Sequence, residues 1–158
     1  MEEEDMPFWR LYYHLVWGTK NREPLIDESI EKRLFPYLVD RANELDCGVL
    51  AINGWNDHVH MVISIPPKYA IAEVVKRLKG ASSHDFDGLG WQRGYGALSV
   101  GERQCQIAIG YVKNQKEHHT QQTTIAPLER MDDDEVGVEG RAIHEAAAEY
   151  IAGEDLPF

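Results

Sequence analysis

Asn56-Asp57-His58-Val59-His60-Met61-Val62-Ile63-Ser64-Ile65 is the stretch whose reading decides the fold. Apolar and β-branched residues run from Val59 to Ile65, and Pro66-Pro67 cannot continue a ladder of backbone donors, so the segment is predicted to be a short strand. Alternate side chains of a strand point to opposite faces. His58 and His60 therefore share one face, and Val59 points to the other. Neutral imidazole is the commonest protein ligand for a metal ion, and this spacing lets one strand grip an ion twice. With seven histidines in 158 residues, a chance His-x-His is the competing reading, and further residues have to decide.

Working outward, Val49 to Trp55 is expected to pair with the histidine strand as a hairpin through Asn56-Asp57. Upstream, Phe8 to Val16 is rich in aromatic and branched residues and is predicted as the first strand. Between them Asp27 can cap a helix, and Ile30, Leu34, Tyr37, Leu38, Ala42 and Leu45 mark one buried stripe over 28 to 46, interrupted by Pro36 and ended at Gly48. Downstream, Ile71 to Phe86 reads as a helix, Gln92 to Val100 as a glycine-rich fourth strand, and Glu102 to about His118 as a last helix. This order gives an α+β fold: a ferredoxin-like split βαβ antiparallel sheet with an added C-terminal helix. Such a sheet is expected to carry helices on one face and leave the other for a ligand.

The length suits a single domain, and neither Cys47 nor Cys105 has a partner at metal-ligand spacing. Met1 to Asp5 is acidic where a signal peptide would be basic, and no stretch approaches a membrane span, so a cytoplasmic protein without a membrane partner is expected. The net charge of −11 argues against a nucleic-acid partner until its distribution is considered. Residues 121–158 carry ten acids against Arg130 and Arg141, whereas residues 7–120 hold 14 basic and 13 acidic side chains. We therefore divide the chain into an acidic N-terminal tail at 1–7, a domain at 8–120, and an acidic linker and tail at 121–158 that has room for a short helix over 139–151.

On the last predicted helix, Tyr111 and Gln115 are four residues apart and share a face offset from the apolar stripe. A phenol of pKa near 10 is only about 0.1% ionised at pH 7, but a divalent cation that polarises a phosphate makes attack by its oxygen feasible. Gln115 offers a carbonyl oxygen beside the two imidazoles, and the mixed set suits Mg²⁺ or Mn²⁺. An ordinary half-buried tyrosine and a solvated glutamine would give the same spacing. Lys68, Lys76, Arg77, Lys79 and Arg93 are candidates for a DNA backbone by charge placement, against the plain reading of solvated charge.

His58-Val59-His60 followed by Tyr111-Val112-Lys113-Asn114-Gln115 resembles the single-tyrosine transposases of the HUH endonuclease superfamily, the IS200-like transposase family. The likeness extends to His14 through Arg22, Ile65 to Lys68, Leu78-Lys79-Gly80 and Trp91 to Tyr95, and covers residues 8–120. The resemblance implies a homodimer in which the tyrosine helix can pack against the partner subunit. It further implies His58, His60 and Gln115 as metal ligands, Tyr111 as the nucleophile, and cleavage and rejoining of single-stranded DNA at hairpin-bearing element ends through a 5′-phosphotyrosine. The alternative is a non-catalytic, domesticated protein that binds DNA hairpins without cutting them. Gly110 before the nucleophile departs from the family pattern; we expect it to act with Gly101 as a hinge.

Overall fold

In the computed structural model the described residues are 8–131, so the tail at 1–7 and the helix expected over 139–151 lie outside them. The chain runs β1 (Tyr12–Gly18), α1 (Glu28–Glu44), β2 (Gly48–Trp55), β3 (His58–Ser64), α2 (Ile71–Asp85) and β4 (Gly96–Val100). Three helices follow: α3 (Cys105–Lys113), α4 (Gln115–Gln121) and α5 (Ala126–Glu129). The sheet order is β2-β3-β1-β4 with every neighbouring pair antiparallel, which is the ferredoxin-like arrangement read from the sequence. No helix among the described residues is long and apolar enough to cross a membrane.

Local chemistry accounts for most boundaries. Asp27 caps α1 by accepting the Ile30 N–H at 2.8 Å, and Leu34, Leu38 and Ala42 form its buried stripe, which continues past Pro36. The left-handed position that ends α1 falls on Asp46 rather than on Gly48. Strand β1 starts at Tyr12, four residues later than expected, and runs on to Gly18 because its register opposite His58–Ser64 extends that far. Strand β4 starts at Gly96; the preceding loop is held by Lys79, whose ammonium donates to the carbonyls of Gln92 and Gly94.

Alternation along β3 divides the molecule into two layers. Val59, Met61 and Ile63 join Leu15 and Trp17 against Leu34 and Leu38 of α1 and Val75 and Leu78 of α2. On the opposite face Val62 meets Ala51, Val100, Ala108, Tyr111, Val112 and Leu128. The expectation of a free face is thus corrected: α3 has its own apolar stripe and covers it. The single helix expected from Glu102 to His118 is likewise divided. A 3₁₀ turn at Glu102–Gln104 leads into α3, and the chain breaks at Asn114, whose φ of −95° and ψ of 17° are not helical, before α4 begins.

Packed chain also continues beyond residue 120, where the domain was expected to end. Leu128 and Met131 are buried. A Cβ at Gly96 would overlap the Arg130 carbonyl oxygen, and one at Gly18 would lie 2.9 Å from the Met131 sulfur. The missing side chains on β1 and β4 are what let residues 130–131 lie against the sheet.

Candidate active site

Strand β3 presents His58 and His60 on the face covered by α3 to α5, and both side chains are fully buried. Each has its inner nitrogen already engaged. The Asp57 carboxylate stands 2.6 Å from His58 Nδ1 and, being an acceptor, places the proton there. His14 on β1 stacks on His60 and brings its Nε2 to 2.8 Å from His60 Nδ1. Both imidazoles are left with Nε2 facing outward, as a metal site requires of its histidines.

Glu129 of α5 meets them there. Its Oε2 lies 2.7 Å from His60 Nε2 and 3.2 Å from His58 Nε2, while Oε1 accepts the Tyr111 hydroxyl at 2.7 Å. His119 of α4 closes the group, with Nε2 3.0 Å from His58 Nε2 and 3.8 Å from Glu129 Oε1, and its ring stacks on Trp55. Donor atoms of His58, His60, His119 and Glu129 all lie within 4.8 Å of one another.

Burial and charge set the protonation states. Burial, helped by the charge of His60, pushes His14 down to about 3. His60 is pushed down to about 4 by burial, against the pull of Glu129. Burial acts on His58 in the same sense, but the hydrogen bonds of Asp57 and Glu129 together outweigh it and leave His58 above its ordinary value. For Glu129 burial favours the neutral acid; the hydrogen bonds of His58, His60 and Tyr111 prevail and hold the carboxyl well below the usual range. Tyr111, fully buried, is pushed up by desolvation and by the Glu129 charge, so it is a neutral phenol at pH 7. Its oxygen also accepts the Ile125 N–H at 3.1 Å.

Of the four site residues expected from sequence, His58, His60 and Tyr111 meet at Glu129, and Gln115 lies beside Tyr111, although the break at Asn114 puts Tyr111 and Gln115 on different helices. Gln115 is buried, its Nε2 is 3.5 Å from the Tyr111 carbonyl oxygen, and its Oε1 has no hydrogen-bond partner among the described residues. An ionised carboxylate and imidazoles with outward nitrogens form a donor set that fits a divalent cation. Four contributors were missed: His14, Asp57, His119 and Glu129. Glu129 falls in the stretch expected to be acidic tail; the signal is its apolar frame, Ile125, Leu128 and Met131, in an otherwise acidic stretch.

The basic candidates do not join this site. Lys76 and Arg77 are on α2, across the sheet, and Arg77 is paired with Glu73 at 2.8 Å. Lys68, between β3 and α2, is paired with Asp46 at 2.8 Å, and Lys79 is committed to the loop carbonyls described above. Arg93 alone lies at the site's end of the sheet, exposed and next to Gln92, whose N–H donates to Gly18 opposite His58. Within the single chain the tyrosine helix packs on its own sheet, against β2 and β3. A Cβ at Gly110 would meet nothing within 4 Å, and the bend falls at Asn114 instead of at the expected hinge glycines.

Residues 7–115 match the family model described as "Transposase IS200 like". The ISDra2 transposase TnpA of Deinococcus radiodurans is 29% identical over 119 residues, covering 68% of this chain and 85% of that protein. The transposase for insertion sequence element IS200 of Salmonella typhimurium is 30% identical over 128 residues, or 69% of this chain and 79% of the relative. Among solved structures, a putative transposase from Deinococcus radiodurans aligns with a TM-score of 0.55 at 28% identity, covering 73% of this chain and 98% of the other. A REP-associated tyrosine transposase bound to a REP hairpin aligns at 0.58 with 12% identity over 75% of this chain and 74% of its own, a likeness of fold alone.

Proposed function

The chain belongs to the IS200-like transposase family, and from that premise we propose that it cleaves and rejoins single-stranded DNA at insertion-sequence ends with Tyr111 as the nucleophile. One observation carries this reading: the Tyr111 hydroxyl and the outward nitrogens of His58 and His60 converge on the single carboxylate of Glu129. A phenol oxygen and a pair of metal-ligating imidazoles thus sit within one carboxylate's span.

In the proposed reaction the Tyr111 oxygen bonds to the scissile phosphorus and the bond to the 3′ oxygen breaks. The products are a 5′-phosphotyrosine and a free 3′-hydroxyl, which can attack the phosphotyrosine in reverse and rejoin an end. One phosphoester replaces another, so no nucleotide cofactor is needed. His58 and His60, with Gln115 Oε1 as a third ligand, would hold Mg²⁺ or Mn²⁺. A bound cation supplies charge neutralisation on the phosphate oxygens. Asp57 and His14 orient the two imidazoles, and Glu129 accepts the phenol hydrogen bond.

The substrate proposed is a hairpin-bearing single strand of DNA; one structural neighbour is bound to a REP hairpin. Arg93 would meet its backbone near the site; Lys68, Lys76, Arg77 and Lys79 would contribute only if DNA also reached the other layer. We further propose a homodimer working in the cytoplasm, to be checked by sedimentation with and without DNA. The test of the chemistry is a denaturing gel on which wild type and Tyr111→Phe are incubated with labelled DNA from the element's own ends, with and without Mn²⁺. A metal-dependent adduct is expected for wild type and a loss of at least about a thousandfold for Tyr111→Phe. Hairpin binding without any adduct would instead favour the non-catalytic hairpin-binding protein.

A further inference from the structure

Glu129 and His119 both come from chain beyond residue 115, where the family match stops. Each is placed by contacts of its own. Helix α4 is anchored through Lys116, which bonds Glu31 of α1 and donates to Asn53 Oδ1 and the Gly54 carbonyl of β2, while the Asn53 amide holds the preceding end of α3 by donating to the Lys113 carbonyl at 2.9 Å. Three residues further on, His119 is stacked on Trp55 at 5.2 Å with its Nε2 turned to His58. Glu129 is seated by Leu128 in the apolar cluster and by the backbone of Arg130 crossing Gly96.

From this arrangement we propose that Glu129 and His119 are ligands to the same ion as His58 and His60, adding a third imidazole and a carboxylate to the set that includes the Gln115 carbonyl and making a site for a first-row transition metal, in which Glu129 also tethers the Tyr111 hydroxyl to the ion. The inference rests on the reading that His58 and His60 hold a divalent cation, and it names the class of that cation. Ligands about 2.1 Å from a common ion lie about 3.0 Å apart in octahedral and about 3.4 Å apart in tetrahedral geometry. The separations of 2.7, 3.0 and 3.2 Å among the Nε2 atoms of His58, His60 and His119 and Oε2 of Glu129 fall around those values. Mg²⁺ takes oxygen ligands and keeps most of its waters, whereas imidazole nitrogens favour Mn²⁺, Co²⁺ and Zn²⁺. The two oxygens of Glu129 have separate tasks: Oε2 faces the imidazole nitrogens and Oε1 holds the phenol. Ion and nucleophile would then be positioned by one side chain.

Direct metal binding tests this without reference to turnover. Full-length protein, stripped of metal, is titrated with Co²⁺ by visible absorption and with Mn²⁺ and Mg²⁺ by calorimetry, and circular dichroism checks the fold of every variant. Glu129→Gln and His119→Asn are each expected to weaken Co²⁺ binding about tenfold or more and to alter its absorption bands, with Glu129→Asp recovering part of the loss. Mg²⁺ at equal concentration is expected not to displace Co²⁺. Wild-type affinity and bands in both Glu129→Gln and His119→Asn, alongside lost binding in His60→Ala, would overturn the inference and leave the histidine site standing. Binding indifferent to His58→Ala and His60→Ala would remove that underlying reading too.

Discussion

The two faces of the sheet are made by the same strands and obey opposite rules. On one, Val59, Met61 and Ile63 interdigitate with α1 and α2, and any side chain of similar shape would serve. On the other, His58 and His60 are as deeply buried, yet each nitrogen has a specific partner. Burying polar groups without partners costs more than their burial returns, so the second face demands particular residues where the first demands only volume. The apolar layer stabilises the scaffold on which the polar layer holds its geometry.

The sharpest way to break this contrast is to damage one face and measure the other. Met61→Ala empties fully buried volume and is expected to lower unfolding free energy by about 2 to 5 kcal/mol in a urea melt, while adduct formation per folded molecule is unchanged. Lost chemistry in the folded fraction would mean that the faces are not independent.

Acid should attack the polar face alone. With folded-state values near 3 and 4, His14 and His60 gain protons on unfolding once pH falls below the ordinary histidine value of 6.5. Their stabilisation is complete above 6.5 and declines by about 1.4 kcal/mol per pH unit for each imidazole as pH falls toward those values. His58, shifted the other way, is protonated in both states across most of that window and does not offset the loss. Melts between pH 6.5 and 4.5 are expected to show this slope in Met61→Ala and a shallower one in His14→Gln; equal slopes in both would place the acid sensitivity elsewhere.

Adding a single methyl group sharpens the comparison further. Gly96→Ala forces the Arg130 carbonyl away from β4 and is expected to cost about 1 to 3 kcal/mol and to weaken Co²⁺ binding with it, as Glu129 is carried off. Gly80→Ala, at an exposed position of α2 with nothing within 4 Å of the new Cβ, is expected to raise stability by about 0.5 to 1 kcal/mol in the same melt and to leave metal binding alone.

What could be read from the sequence follows the same division. Period-two alternation through Val59 to Ile65 and the three-and-four spacing of Leu34, Leu38 and Ala42 are local patterns, so the sheet, its order and the α1 and α2 layer were legible. Tyr111 and Gln115 were found through spacing and resemblance. The break at Asn114 was not, because nothing in Lys113-Asn114-Gln115 forbids a continuous helix; α4 turns there to reach Asn53, Gly54 and Glu31. Glu129 escaped for a related reason. A four-residue helix has too few positions to show a period, and its partner His60 is 69 residues away.

That separation also orders events during synthesis. Both imidazoles, the four strands and the tyrosine are made before residue 125, so a nascent or C-terminally truncated chain has its histidine face and phenol without the carboxylate that joins them. Among the described residues the connection between ion-binding and nucleophilic groups is thus the last part of the site to be made, and a chain released before residue 129 has the sheet without it.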